Sequence, residues 1–221
     1  MRIGMVTPGQ SPRDDIVPEI ESYLTETATI SEAGALDGIS KGEIAQGLLP
    51  ESDGDLLVTR MRDGSSVTIS EKKITPLVQR CVEKLEKQEA RIILLLCTGD
   101  FPTIQSRGLL IKAGDIFPAV VRDVSLGHRI GVMIPNAAQV GRAQRKWGAL
   151  GMEIEVAEAS PYASIDAVQS AAERLRNDQI KLIAMDCLGY NRRMKELVRE
   201  ITNKPVVLPR SILARVLSEL L

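Results

Sequence analysis

An α/β fold is expected, built as two pseudo-symmetric lobes with mainly parallel sheets flanked by helices and a β-hairpin inserted in the first lobe. Three observations on the sequence predict it. Short runs of Ile, Val and Leu alternate with amphipathic helical segments along most of the chain. Several of those runs are almost continuously apolar, the pattern of strands covered on both faces. Two of them, IILLLC and LIAMDC, end in a cysteine with glycine two residues on, as though one unit occurred twice.

Taken in order, strands are expected at residues 2–6, 91–97, 129–134, 152–157, 181–187 and 205–208. Ser11-Pro12, followed by Asp14 and Asp15, reads as an N-cap, a proline at the first helical position and an acidic first turn. Ser40 and Glu43 make a capping box. Segments 55–60 and 66–70 flank Asp63-Gly64, a strong hairpin signal. Thr75-Pro76 repeats the hydroxyl–proline grammar ahead of LVQRCVEKL. The expected lobes are residues 1–107 with 209–221, and residues 108–208, the last strand and helix returning the chain to the first lobe.

With 221 residues the chain can bury a sizeable core. Its 28 basic and 29 acidic residues are interspersed, giving net charge −1 and no basic stripe for a phosphate backbone. Aromatics make up only 3%, too few for a base-stacking platform, so nucleic acid is not an expected partner. No apolar run approaches the roughly 20 residues that span a bilayer, and none at the start resembles a secretory signal, so no membrane partner is expected. Three widely spaced cysteines fit free thiols in a cytoplasmic protein better than a disulfide framework. His128 is the single histidine, which leaves no Cys-His or Ser-His-Asp set. No metal-ligand spacing, G-x-G-x-x-G or P-loop is present, so neither a metal nor an organic cofactor is expected.

Cys97 and Cys187 stand where strands hand over to loops, the usual place for ligands in α/β proteins. Amides beyond a strand end are expected to lower a thiol's pKa from about 8.5 towards neutrality. Either cysteine alone reads more plainly as a small buried hydrophobe. Two at matching places favour a site. Cys81 lies mid-helix on one face with Leu77, Val78 and Leu85, and core packing explains it. In the first turn, TPGQSPR, the candidates are Thr7, Gln10, Ser11 and Arg13. Arg13 beside a helix start suits an anionic ligand, or else Asp14 and Asp15 neutralise it and it points to water. Asn136, in PNAAQ, caps the next helix and leaves its amides free for a carboxylate. Thr98, Gly99, Leu188 and Gly189 follow the thiols. Trp147 is expected to pack inward from a helix with an ordinary solvated face.

TPGQSPRDD (residues 7–15) and IAMDCLGY (183–190) together resemble the AroM family, which is itself similar to the aspartate/glutamate/hydantoin racemase superfamily. The likeness runs from the first turn to PVVLPRSILA, ending at Ala214. It implies two facing lobes with a cleft between them and Cys97 and Cys187 as a proton-transfer pair. One thiolate abstracts a proton beside a carboxylate while the other thiol donates on the opposite face. The implied protein is a cofactor-independent racemase- or isomerase-type enzyme whose partner is a small carboxylic acid. The flanks differ from the superfamily pattern. Cys97-Thr98-Gly99 replaces Cys-Asn-Thr, and Asp186-Cys187-Leu188 replaces Gly-Cys-Thr or Gly-Cys-Ala. Alternatives therefore stay open: a decarboxylase or cis-trans isomerase of a dicarboxylic acid, a non-catalytic carboxylate-binding or regulatory protein, or a redox thiol protein. Assembly into a homo-oligomer is also left open.

Overall fold

The computed structural model describes residues 1–24 and 28–221. The chain runs through β1 (Arg2–Thr7), α1 (Val17–Glu21), β2 (Thr29–Gly34), α2 (Lys41–Gly47), β3 (Leu56–Arg60), β4 (Ser66–Ser70) and α3 (Glu71–Lys87). It continues with β5 (Ile92–Leu95), β6 (Leu109–Lys112), α4 (Ala113–Ser125), β7 (Ile130–Ile134), α5 (Val140–Gly148) and β8 (Ile154–Glu158). α6 (Ile165–Arg174), β9 (Leu182–Met185), α7 (Arg192–Thr202), β10 (Val206–Val207) and α8 (Pro209–Glu219) complete it. Two four-stranded parallel sheets result, ordered β2-β1-β5-β6 and β10-β9-β7-β8, with β3 and β4 as a separate antiparallel pair.

Each sheet is covered on both faces, which is why its central strands read as unbroken apolar runs. In the first sheet, Val6, Ile93 and Leu95 meet Ile74, Val78 and Leu85 of α3. On its other face Ile3, Met5 and Leu94 meet Ile20 of α1 and Leu213 and Leu217 of α8. The second sheet packs Met133, Ile183 and Met185 against α6 and α7, and Val132 and Ala184 against Phe117 and Trp147. α8 packs on that face of the first sheet. Among the described residues, no helix is long and apolar enough to cross a membrane.

The hairpin forms as its sequence demands. Gly64 adopts φ +87°, a left-handed conformation that side chains disfavour, and the turn closes through Met61 N–H to the Ser65 carbonyl at 2.8 Å. The Ser40–Glu43 capping box is also present.

Four expectations need correction. Ser11 caps no helix: its N–H and hydroxyl both donate to the Asp37 carboxylate, at 2.8 and 2.6 Å, and the helix waits until Val17. α3 begins at Glu71 and not at Thr75-Pro76, because Ser70 caps it by accepting from Lys73 N–H at 3.1 Å. Pro76 then lies inside the helix and forgoes one backbone bond, to the Lys72 carbonyl. β2 and β6 were not expected as strands. β2 carries Ser31 and Glu32 on a half-exposed edge, β6 is only four residues long, and neither has the buried signature of a central strand. β6 also joins the first sheet, so residues 109–112 belong with that sheet despite lying past the expected crossing at 107.

Candidate active site

The two central strands β5 and β9 each deliver a cysteine beyond their carboxyl end. Cys97 and Cys187 line one cavity of about 60 Å³, enough for a few waters or a few heavy atoms of a ligand. All three cysteines are free thiols. Cys81 is buried in the first core beside Val78 and Leu85, away from that cavity.

The two thiol turns carry the same hydrogen bonds. Cys97 N–H donates to the Leu95 carbonyl at 2.9 Å, and Cys187 N–H to the Met185 carbonyl at 2.9 Å. The Gly99 N–H approaches Cys97 Sγ at 3.4 Å, and the Gly189 N–H approaches Cys187 Sγ at 3.4 Å. These amides belong to turns and not to helix N-termini, since α7 begins only at Arg192 and α4 at Ala113.

The expected fall in thiol pKa does not occur. Burial pushes the Cys97 thiol up to about 12, against the Gly99 amide; Cys187 and Glu71 add to the rise and Arg142 opposes it. Burial pushes Cys187 up to about 11, against the Gly189 amide and the charges of Arg13 and Arg210, with Asp186 adding to the rise. One weak N–H···S contact per sulfur does not outweigh loss of solvent. Both thiols are therefore protonated at neutral pH.

Three cations reach the cavity, each already engaged. Arg13 is 3% exposed and grips Asp15 with Nε and Nη2 at 2.8 and 2.9 Å, Thr7 Oγ1 at 2.9 Å and the Tyr162 hydroxyl at 3.2 Å. It does not point to water, and of the two neighbouring aspartates it is Asp15 that pairs with it. Burial would raise the Asp15 carboxyl, but the bonds and charge of Arg13, with Arg60 and Arg210, hold it below the usual carboxylate range. Burial raises the Tyr162 phenol. Arg142 pairs with Glu71 and lies 3.5 Å from Asp100. Lys146 Nζ sits 3.1 Å from Asp186 Oδ2, which also accepts from Trp147 Nε1 at 3.0 Å.

Of the expected site residues, Cys97, Cys187, Arg13, Thr98, Gly99 and Leu188 line the cavity. Thr7 stands behind it as the acceptor for Arg13. Gln10 lies elsewhere, its amide bonded to the Leu36 and Ile39 carbonyls and its oxygen to Arg62 N–H. Ser11 is consumed by Asp37, and Asn136 by Ala138 N–H, which caps a 3-10 turn ahead of α5. Gly189 faces a neighbouring crevice, where an added Cβ would meet the Tyr162 hydroxyl at 2.7 Å.

Sequence reasoning missed Arg142, Lys146, Tyr162 and the hairpin's contribution. Leu57, Val58 and Thr59 of β3 form one wall, so the insertion is part of the site. Gln139 and Arg142 hold that wall by donating to the Leu56 carbonyl at 3.2 and 3.4 Å. Arg142 and Lys146 lie on α5, whose cation-rich face reads as solvated; only their pairing with Glu71 and Asp186 gives their direction. Among the described residues, no group of three His, Cys, Asp or Glu side chains is placed to hold a metal.

A family model described as AroM protein matches residues 3–221. The fold is shared with glutamate racemase from Aquifex pyrophilus (TM-score 0.61, 15% identity, covering 100% of this chain and 84% of that one). It is shared also with the maleate isomerase Iso from Pseudomonas putida S16 (0.64, 12%, 100% and 92%). A third similar structure is arylmalonate decarboxylase (0.59, 12%, 99% and 92%). No curated protein matches the chain.

Proposed function

We propose, from the premise that this chain belongs to the AroM family, that its cavity is a cofactor-independent isomerase-type active site for a small carboxylic acid, with Cys97 and Cys187 as the proton-transfer pair. One observation carries the reading: two thiols from equivalent strand ends line a single small cavity in matching turns. Racemases, a maleate isomerase and an arylmalonate decarboxylase share the fold, and their names denote reactions at small carboxylic acids.

In this reading one thiol ionises and takes the proton from the carbon beside the substrate carboxylate, while the other gives its proton to the opposite face. The product retains every atom of the substrate except the exchanged hydrogen. Charge that develops on the carboxylate as an enolate is met by the edges of Arg13 and Arg142 and by backbone amides of the turns. The raised thiol pKa values fit a pair that stays neutral until an acid binds, and they place the active ionisation on the alkaline side. Three free thiols also suit a cytoplasmic setting, and this reading sets the cleft between two lobes.

The experiment is proton exchange in D2O, followed by ¹H NMR over a panel of 2-amino, 2-hydroxy and unsaturated small acids. An acid that loses its α-proton signal with the native chain, and whose two enantiomers are each protected by one of the variants Cys97→Ser and Cys187→Ser, is the expected result. Undiminished exchange in both variants overturns the paired-thiol reading.

A second reading, a non-catalytic carboxylate binder, draws on the protonated thiols and on the carboxylate already paired to each cation. Time-resolved NMR of an acid that raises the melting temperature separates the two: chemical change marks an enzyme, and an unaltered spectrum marks a binder.

A further inference from the structure

Behind each sulfur lies a second, matching link. The peptide joining Thr98 to Gly99 directs its N–H at Cys97 Sγ (3.4 Å) while its carbonyl accepts from Lys146 Nζ at 2.8 Å. The peptide joining Leu188 to Gly189 directs its N–H at Cys187 Sγ (3.4 Å) while its carbonyl accepts from Arg210 Nε at 3.0 Å, and from Nη2 as well. Arg210 is buried at 1% exposed, and the Lys146 side chain is nearly so at 9%. They come from helices that do not correspond between the halves, since α5 follows β7 while α8 follows β10. Internal repetition alone does not supply them. Arg210 belongs to the PVVLPRSILA segment, to which the thiol chemistry gives no other role.

We propose that Lys146 and Arg210 are positioning residues, each polarising the one peptide through which its cysteine receives a hydrogen bond and so stabilising a thiolate it does not touch. A cation at a carbonyl oxygen draws density through the amide and makes the N–H of the same peptide a stronger donor, by about 10–30% per bond. The gain is larger for S⁻ than for S–H, because a charged acceptor makes the stronger hydrogen bond. The inference rests on the proposed thiol chemistry, but its test uses no turnover.

Other charges face both sulfurs and must be held constant. Glu71 and Arg142 act on Cys97. Asp186, Arg13 and Arg210 act on Cys187, with the neutral phenols of Tyr162 and Tyr190 packed nearby. Asp186 is the partner of Lys146 at 3.1 Å, and Glu19 is the partner of Arg210 at 2.9 Å. Removing either cation alone would bare a carboxylate, so the variants are paired: Lys146→Met with Asp186→Asn, and Arg210→Met with Glu19→Gln.

Iodoacetamide alkylation of each cysteine is followed from pH 7 to 10 by peptide mass spectrometry, with Cys81 as internal reference. The Arg210 pair is expected to slow Cys187 about three- to tenfold at fixed pH, an upward move of about half to one pKa unit, with Cys97 unmoved. The Lys146 pair should slow Cys97 by a similar factor and leave Cys187 no slower. Lys146→Arg and Arg210→Lys, which keep a charged donor, should restore most of the rate. Equal slowing of both cysteines in each variant, or none in either, overturns the inference. If circular dichroism shows the Arg210 pair unfolded, the Lys146 pair and Arg210→Lys decide alone: an unmoved Cys97 profile in the former overturns it. Profiles that move as expected, beside Cys→Ser variants that exchange both enantiomers at the native rate, would retain this wiring and discard the proposed reaction.

Discussion

Cys97 and Cys187 occupy equivalent ends of β5 and β9, and the backbone around the two strands corresponds. Gly4 of β1 lies opposite Ile93, and Gly131 of β7 lies opposite Ile183. An added Cβ at either glycine would meet the facing isoleucine Cδ1, at 2.5 and 2.9 Å, and then a leucine at the end of the preceding helical region, Leu85 or Leu175. Leu96 N–H donates to the Val6 carbonyl at 2.8 Å, and Asp186 N–H to the Met133 carbonyl at 2.8 Å. The halves part company in the side chains. Where the first turn has Leu96 and Thr98, the second has Asp186 and Leu188. Cys97 feels one guanidinium, Arg142, already offset by Glu71, while Cys187 feels two, Arg13 and Arg210, against Asp186. The backbone of the two turns is shared and the charges around the sulfurs are not, while burial is the main cause of the raised thiol pKa on both sides.

The largest effect is expected at Arg13, whose guanidinium is paired with Asp15 and faces Cys187. Arg13→Leu leaves the partly buried Asp15 with Arg60 as its remaining salt-bridge partner and should cost about 3 kcal/mol in urea unfolding, the low end for a broken buried pair. Alkaline pH comes next. A thiol whose folded pKa is raised keeps its proton longer when folded, so this stabilisation is complete below the unfolded thiol value near 8.5 and is lost as pH climbs towards 11–12. The urea midpoint of the native chain should fall between pH 9 and 11 more steeply than that of Cys97→Ser/Cys187→Ser. An equal slope in the two proteins would contradict the raised values.

The glycine pair sharpens the likeness. Gly4→Ala should destabilise by about 1–3 kcal/mol and Gly131→Ala by less, following the two Cβ approaches, as thermal unfolding would report. The smallest effect concerns Asp186. Asp186→Asn keeps an acceptor for Trp147 Nε1 but removes the negative charge beside Cys187, so iodoacetamide should react with Cys187 about threefold faster and with Cys97 no faster.

The parallel sheets, the hairpin and the two thiols were legible because each writes a local signature: unbroken Ile/Val/Leu, Asp63-Gly64, and a cysteine ending a buried run. β2 and β6 were not, since edge strands satisfy only one neighbour and tolerate residues such as Glu32. The hydroxyl–proline pairs misled for a different reason. Ser11 found a stronger acceptor in Asp37, distant in sequence, and Ser70 capped α3 before Thr75 was reached. Gln10, Ser11 and Asn136 looked like ligand groups because their own partners are set by tertiary contacts or by a local turn. Arg142, Lys146 and Tyr162 were hidden because a cation on an amphipathic helix, or a tyrosine in a loop, takes its direction only from the partner that folding brings to it.

The direct test of a two-thiol site is deuterium exchange measured on separated enantiomers of a responsive 2-substituted acid, with Cys97→Ser and Cys187→Ser side by side. A pair flanking one carbon requires that each variant fail to deprotonate the enantiomer whose α-hydrogen faces the missing thiol, so the two should lose opposite hands. Exchange of both enantiomers at the native rate in either variant would contradict the shared-cavity mechanism.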